Sequence, residues 1–522
     1  MIRHSLSASE FWSKLPWKKF RRNLFRLQKR VYKAIRENDL RKVKSLQKLI
    51  LKSRAARLLA IRQVTQLNAG KKTPGIDGKA SLTHQERLDL SLNLKSNVDK
   101  WKHQRLREIP IPKKDGSTRL LKVPTMYDRA WQCLVKYAIE PAHEALFHER
   151  SYGFRPGRAA HDAQKYLFQN LNSQGKGITK RVIELDIEKC FDRISHTAIM
   201  DRLIAPMGIR NGIFRCLKIG VNPEFPEQGT PQGGVVSPLL ANIALNGIES
   251  LHPSVRYADD LVFFLKPKDD AQKILDKIRQ FLAERGMNVS ERKTKITAAT
   301  DGFDFLGWTF KVQKNGKFRS FPSVENFKKF RQKVKKIVNN SNYGAKVKAK
   351  KLAPIVRGWR NYHQFCKLDG PRFNLWSLNN KTWKVFNKES KLTRYQVNHL
   401  IDLAFPKIGW HENKFVMVKG DKSPFDGDIL YWTKRNSALY DGITSKMLKK
   451  QKHTCGHCGH LLTGEERVNL HHKDGNHENW KDTNLMVVHE SCHDYIHMSK
   501  QDCRKLDAMK VARPDLKERG ET

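Results

Sequence analysis

Three aspartates in two short apolar stretches are the residues of this chain best suited to chemistry. Arg256-Tyr257-Ala258-Asp259-Asp260 runs straight into the β-forming segment Leu261-Val262-Phe263-Phe264-Leu265, so the paired carboxylates read as the turn of a hairpin. Upstream, Val182, Ile183, Leu185 and Ile187 have the pattern of a buried strand, and Asp186 interrupts it. A buried carboxylate without a partner costs several kcal/mol, so a bound cation is its natural complement. Asp186 and Asp259 stand 73 positions apart (259 − 186 = 73), far enough to come from neighbouring strands. Alternation along a strand keeps Asp259 and Asp260 from both facing one site unless a turn reorients them. If Asp186 and Asp259 meet, they would hold two Mg²⁺ ions about 3.5–4 Å apart. That arrangement activates an attacking oxygen and stabilises a leaving one in phosphoryl transfer.

A second set of candidates lies near the C-terminus. Cys455-x-x-Cys458 and His489-x-x-Cys492 offer four ligands in two pairs, a pattern suited to a closed tetrahedral zinc site. His457 and His460 stand near enough to rival His489. Between and after the pairs come Leu470-His471-His472-Lys473-Asp474-Gly475, Thr483-Asn484-Leu485 and His493-Asp494-Tyr495-Ile496-His497. These segments resemble the HNH, or ββα-metal, nucleases. The resemblance implies that His493 and His497, on one helix face, join His471 from a facing hairpin to hold a catalytic divalent metal. It also implies His472 as general base on water and Asn484 as the residue pinning the loop. A bland alternative makes all of these residues zinc ribbons, although a purely structural site has no use for a free His472.

Composition narrows the partners. The 522 residues carry 100 Lys+Arg against 52 Asp+Glu, a formal net charge of +48. Such self-repulsion needs a polyanion, and nucleic acid fits best. No apolar run approaches the ~18 residues that span a bilayer, and the basic residues spread over the whole chain instead of flanking an anchor. Of eight cysteines, Cys133, Cys190, Cys216 and Cys366 stand singly among apolar neighbours, as reduced core thiols do. The N-terminus has no signal-peptide core; Trp12 and Trp17 suit a folded start better than a transit peptide.

Other segments must position these groups. Residues 17–66 show helical spacing (Phe20, Leu24, Leu27, Val31) with basic outer faces. Thr73-Pro74-Gly75-Ile76-Asp77-Gly78 is a turn. Residues 107–125 read as a hairpin turning at Asp115-Gly116, flanked by Lys113 and Arg119, cations that could clasp a triphosphate. Residues 128–145 read as an amphipathic helix. Ser151-Tyr152-Gly153-Phe154-Arg155-Pro156-Gly157-Arg158 interleaves aromatics with arginines, a composition suited to stacking and phosphate contact. Gln232 lies between Pro231 and Gly233, where the backbone can approach a ligand closely. From Asn326 onward the chain is basic and helical, and residues 400–450 are basic with scattered aromatics (Trp410, Lys414, Lys419, Trp432, Lys434, Arg435).

The Tyr-Ala-Asp-Asp box, the Asp186 strand and Gly229-Thr230-Pro231-Gln232-Gly233-Gly234 between them resemble those of reverse transcriptases, in particular group II intron-encoded proteins. Residues 286–294, 303–308 and the Arg357-Gly358-Trp359-Arg360-Asn361-Tyr362 thumb segment resemble the same family. The resemblance implies Asp186, Ile187 and Asp259 as Mg²⁺ ligands with Asp260 secondary. It places Phe191 beneath the nucleotide sugar, Gln232 near the templating pair, Lys293 near the phosphates, and Lys113 and Arg119 on the incoming nucleotide. The chain departs from the family's Arg-Pro-Leu-Gly-Ile-Pro, carrying Arg119-Leu120-Leu121-Lys122-Val123-Pro124.

The implied fold is α+β and multidomain. It comprises a basic helical extension (1–72), right-hand fingers and palm (73–322), an α-helical thumb or domain X (323–400), a basic DNA-binding connector (401–450) and a zinc-containing HNH nuclease (451–522). The implied protein binds its intron RNA, assists splicing, inserts into double-stranded DNA, nicks the second strand and copies the intron from that primer with deoxynucleoside triphosphates. Mg²⁺ and Zn²⁺ are the expected cofactors, no membrane is involved, a homodimer is possible, and the setting is the bacterial cytoplasm, at the nucleoid, with an organelle as the second choice. An RNA-folding cofactor without chemistry is one rival. A defence-associated reverse transcriptase, which would need neither the thumb segment nor the connector, is another.

Overall fold

The computed structural model describes residues 7–112, 118–220, 224–368, 373–389, 392–440, 442–462, 468–490, 492–493 and 495–497. Its centre is a four-stranded antiparallel sheet of β3 (Arg181–Leu185), β4 (Ser254–Tyr257), β5 (Asp260–Leu265) and β6 (Lys295–Ala298), in the order β4-β5-β3-β6. Leu261 through Leu265 are all buried because the sheet is covered on both faces. Leu261, Phe263 and Leu265 join one apolar core with Ile183, Leu185 and the helix Met126–Glu144, while Val262 and Phe264 join a second core with Val182 and Trp308. The first core also takes in the N-terminal helices Trp17–Arg36, Leu40–Lys52 and Arg54–Arg62.

Outside the sheet, β1 (Arg107–Pro112) and β2 (Thr118–Val123) form a hairpin whose last pair is Pro112 with Thr118. Lys113 and the Asp115-Gly116 turn lie outside the described residues, as does the side chain of Arg119. A three-stranded meander of β7 (Phe303–Phe305), β8 (Trp308–Val312) and β9 (Phe318–Pro322) leads into the helices Val324–Val338 and Ala345–His363. Those helices form a third core that continues through the helix Arg394–Ala404 to Phe405, so the expected thumb boundary at residue 400 falls inside a helix.

The stretch expected as a DNA-binding connector behaves differently in its parts. Trp410 and Lys414 have exposed or half-exposed side chains, but Trp432 is 1% exposed and Arg435 5%. Arg435 donates to both carboxylate oxygens of Asp162 at 3.0 and 3.2 Å, and Val418 N–H donates to the same carboxylate at 2.7 Å. A Cβ added at Gly157 would sit 2.8 Å from the Trp432 ring. These two residues therefore fasten the segment to the palm and are unavailable to DNA. The helix Gly442–Lys450 packs Met447 and Leu448 into the same small core as Cys455, Cys458 and Cys492, so the last module starts before residue 451. It holds the hairpin of β10 (Val468–His472) and β11 (Leu485–His489), followed by helical residues at 490, 492–493 and 495–497.

The last module docks on the N-terminal helices. The Arg62 guanidinium lies over the Trp17 ring (4.5 Å) and the Tyr495 ring (4.4 Å), and His460 Nε2 is 3.2 Å from the Lys18 carbonyl. Among the described residues no helix is long and apolar enough to cross a membrane.

Candidate active site and metal centres

Antiparallel register brings the aspartates together. Leu185 of β3 pairs with Leu261 of β5, so Asp186, one residue beyond, is level with Asp260; Tyr257 pairs with Asp260, which leaves Ala258 and Asp259 as the turn. Ala258 adopts φ +60°, the left-handed kink that lets adjacent aspartates leave strict alternation. The Asp260 carboxyl is pushed up to about 6, by burial and then by the charges of Asp259 and Asp186. Because Asp260 remains open to solvent, the two neighbouring carboxylates are the more secure cause, and their effect is screened. Asp186 Oδ2 is buried and, among the described residues, accepts no hydrogen bond; its charge meets Lys293 Nζ at 3.1 Å. Lys293 thus stands at the carboxylates themselves. A buried acidic oxygen with a single lysine against it, beside two further carboxylates, is a donor set that fits a hard cation such as Mg²⁺. The Ile187 backbone bridges Val289 across the strand end, and Asp186 C=O accepts from Ser290 N–H at 2.8 Å.

A pH dependence follows. A carboxyl raised from 3.8 to about 6 favours the metal-free fold at low pH, and that contribution is lost as pH rises through the folded value. A cation needs the ionised form. The rise in melting temperature on adding MgCl₂ should therefore be small below about pH 4 and grow as pH passes about 6; a flat Mg²⁺ effect over that window would show that Asp260 does not sense the ion.

Nucleotide-side candidates surround the same strand end. Phe191 is half-buried in the short helix Cys190–Arg193, and its carbonyl accepts from Thr230 N–H at 2.8 Å. Gln232 Nε2 donates to Asp192 Oδ1 at 3.4 Å, and the Gln232 carbonyl accepts from Lys122 N–H at 2.9 Å. Gly233 adopts φ +128°, and a Cβ added there would fall 2.6 Å from the Lys122 carbonyl, so no side chain fits where the loop meets β2.

Two histidine- and cysteine-rich clusters occupy the last module. The ligand atoms of Cys455, Cys458, His489 and Cys492 all lie within 4.8 Å of one another, as do those of His471, His493 and His497. Cys458 Sγ is 3.3 Å and Cys492 Sγ 3.9 Å from His489 Nδ1, near the ~3.8 Å ligand–ligand edge of a tetrahedral Zn–S site. Hydrogen bonds from Cys458 and Cys492 push the Cys455 thiol down, towards the thiolate that binds zinc. Three sulfurs and an imidazole in this spacing fit zinc. The rivals to His489 are engaged elsewhere: His460 with Lys18, and His457 against the Tyr495 ring at 5.7 Å.

In the second cluster His493 and His497 approach to 3.2 Å between Nε2 atoms, and His471 stands 5.4 Å from each ring. His472 turns to the opposite side of β10. It is 6% exposed, packed edge-on to His477 and Trp480, and among the described residues neither ring nitrogen has a hydrogen-bond partner. The motif implies a base free to reach water; His472 is uncommitted but covered, with Trp480 as its lid. Asn484 Oδ1 accepts from Asp474 N–H at 3.1 Å, and its amide donates to the Asn479 carbonyl at 2.9 Å, tying the loop after β10.

Comparison with known proteins identifies the polymerase part. Residues 12–94 match the N-terminal domain of reverse transcriptase, residues 111–310 match reverse transcriptase (RNA-dependent DNA polymerase), and residues 327–399 match the group II intron maturase-specific domain. Maturase-like protein 1 of Euglena gracilis is 38% identical over 408 residues, 78% of this chain and 89% of that protein. This chain belongs to the group II intron reverse transcriptase/maturase family. The group II intron-encoded protein LtrA of Lactococcus lactis is 27% identical over 338 residues, 49% of this chain and 55% of that one. Relatives in a eukaryote and a bacterium give the expected bacterial setting no support. A solved telomerase from Candida albicans overlaps 59% of this chain and 62% of its own at 13% identity and a TM-score of 0.32, too distant to bear on function.

Buried partners steady the Ala258-Asp259 turn. Arg256, wholly buried, donates from Nε to Glu249 at 2.5 Å and from Nη1 to Asn242 at 2.8 Å and the Ala258 carbonyl at 3.1 Å. Gly153 lies so close that an added Cβ would fall 2.3 Å from Ala258 N, which is why the Tyr152-Gly153-Phe154 segment tolerates no side chain there. Replacing Glu249 by alanine leaves Arg256 buried without its carboxylate and should cost about 3–5 kcal/mol. Chemical denaturation would measure it, and a loss under about 1 kcal/mol would show that water replaces the carboxylate. At the root of the thumb, Tyr362 stacks on Trp308 (4.4 Å, 9°) and donates to the Leu306 carbonyl at 2.8 Å, while Trp359 and His363 both bond Asn326.

Proposed function

We propose that this maturase is a multifunctional retrohoming protein: a polymerase, an intron-RNA chaperone and a second-strand nuclease in one chain. The convergence of Asp186, Asp259 and Asp260 at one end of β3 and β5 carries the polymerase part. Asp186, Asp259 and the Ile187 carbonyl would hold Mg²⁺, which when bound supplies the positive charge that phosphoryl transfer needs. The chain's own residues do the rest. Phe191 closes the sugar side, where a ring excludes a 2′-hydroxyl by bulk. Gln232, braced on Asp192, presents its loop to the template. Lys293 offsets acidic charge beside Asp186. Lys113 and Arg119 would clasp the triphosphate from the β1–β2 hairpin.

The nuclease part rests on the His471/His493/His497 cluster beside an uncommitted His472. This arrangement supports an HNH-type site. The three histidines would hold a divalent ion that polarises a phosphate, and His472 would take the proton of the attacking water once Trp480 moves aside. The Cys455/Cys458/His489/Cys492 set would hold Zn²⁺ and keep the hairpin and its helix together. Intron RNA, double-stranded target DNA and deoxynucleoside triphosphates are the proposed partners, and the +48 charge suits all three.

The test uses the purified full-length chain. Extension of oligo(dT) on poly(rA) in Mg²⁺ should be robust, sequencing of co-purified RNA should return one intron, and DNA carrying that intron on one strand should be nicked on the other. RNA binding without extension would reduce the protein to a folding cofactor. Extension with no intron among the bound RNA would point to a different class of reverse transcriptase.

A further inference from the structure

A cavity of about 460 Å³ lies between the N-terminal helices Trp17–Arg36 and Arg54–Arg62, the helix Met126–Glu144, the segment around Phe154 and the zinc module. Its volume is within the ~300–1,000 Å³ span of small-ligand pockets. None of the aspartates of the polymerase site lines it.

The charges of its wall are not all met from within. Lys136 lies 3.4 Å from Glu140, and Arg155 is held by two hydrogen bonds to Glu144. Arg62 is different. It is 2% exposed, and its Nε and Nη2 make no hydrogen bond among the described residues. The Trp17 and Tyr495 rings lie 4.5 and 4.4 Å from its guanidinium carbon, contacts that leave those N–H groups without an acceptor. A buried guanidinium edge is met best by a two-pronged oxyanion such as a phosphate. Arg21 borders the same cavity and stands near enough to oppose the Arg62 charge, so an anion there would relieve repulsion as well.

An independent observation concerns Phe154. It holds φ +58°, a conformation costly for a bulky residue, and is 51% exposed while bordering the cavity. Strain that presents an aromatic ring to an opening suits a stacking platform, and Phe25 and Phe425 stand in the same wall, 6.1 Å apart. Cations set apart from aromatic faces, in a space of this size, match the two halves of a nucleotide.

We propose that this cavity receives one nucleotide unit of bound RNA, its base on Phe154 and its phosphate between Arg62 and Arg21. The proposal rests on the RNA-binding reading and adds to it a defined subsite that none of the polymerase aspartates lines. Because the subsite is walled by both the N-terminal helices and the zinc module, an RNA strand seated there would touch the two ends of the chain at once.

Photo-crosslinking tests it, using the zinc-loaded full-length protein with 4-thiouridine-substituted oligouridylate and, separately, free 4-thiouridine monophosphate. The oligonucleotide should crosslink to the peptides containing Phe154 or Phe25. Arg62→Gln and Arg21→Gln should each lower that crosslink about tenfold, while total binding of the oligonucleotide on filters falls less than about twofold, because one phosphate contact among many is lost. Crosslinking by the free monophosphate alone would mark a soluble-nucleotide site and overturn the RNA assignment. Full filter binding with no crosslink in this cavity would overturn the subsite yet leave general RNA binding standing; loss of filter binding by the wild-type protein would sink both. Should Arg62→Gln release zinc or unfold, Arg21→Gln decides: a wild-type crosslink in that variant would assign the open Arg62 edge to the metal centre and end the proposal.

Discussion

Asp259→Ala is expected to reduce cDNA synthesis by more than about a thousand-fold, because Asp259 is one of the carboxylates that would hold the Mg²⁺ on which phosphoryl transfer would depend. RNA binding should persist. The substitution takes the formal charge from +48 to +49 (48 + 1), a negligible change in a surface that attracts polyanions. The turn itself should survive, since Arg256 holds the Ala258 carbonyl and Glu249. The informative comparison is primer extension against filter binding of the same RNA. Extension within about tenfold of wild type would move the metal site off Asp259. Asp260→Ala should be milder, because Asp260 faces solvent and its charge is partly suppressed by its neighbours.

His472→Ala should abolish second-strand nicking by roughly 10²–10⁴-fold, the usual worth of a positioned base, and leave polymerase activity and zinc content unchanged. The side chain has no hydrogen bond to lose, so the fold should change little beyond the cavity left beside Trp480. Trp480 covers the imidazole, and truncating it to alanine should then raise the nicking rate or leave it unchanged. Normal nicking by His472→Ala would remove this histidine as base and turn attention to His477, its ring neighbour at 5.0 Å.

Much of the site was legible because its residues contradict their surroundings. An acid at the end of an apolar strand, a pair of acids before another, and two Cys/His pairs in a basic tail are each costly unless something binds there, and the fold places each group together. The helices of the N-terminus and of residues 324–363 were legible from spacing. Support of the catalytic turn was not. Arg256 and Glu249 look like ordinary surface charges in sequence, and only their shared burial, with side chains fully enclosed, reveals a structural pair. Trp432 and Arg435 failed in the opposite direction. Composition read them as nucleic-acid contacts, but their partners Gly157 and Asp162 lie more than two hundred residues away, where no local pattern can point to them.

The Tyr495 ring rests on Arg62, and its position in the chain falls between His493 and His497. One flank of the segment bearing His493 and His497 is therefore furnished by the opposite end of the polypeptide. Cut free, or grafted onto a different polymerase, the C-terminal module would keep its cysteines and histidines but lose the contact between Tyr495 and Arg62. A graft would have to carry Trp17 and Arg62 with it.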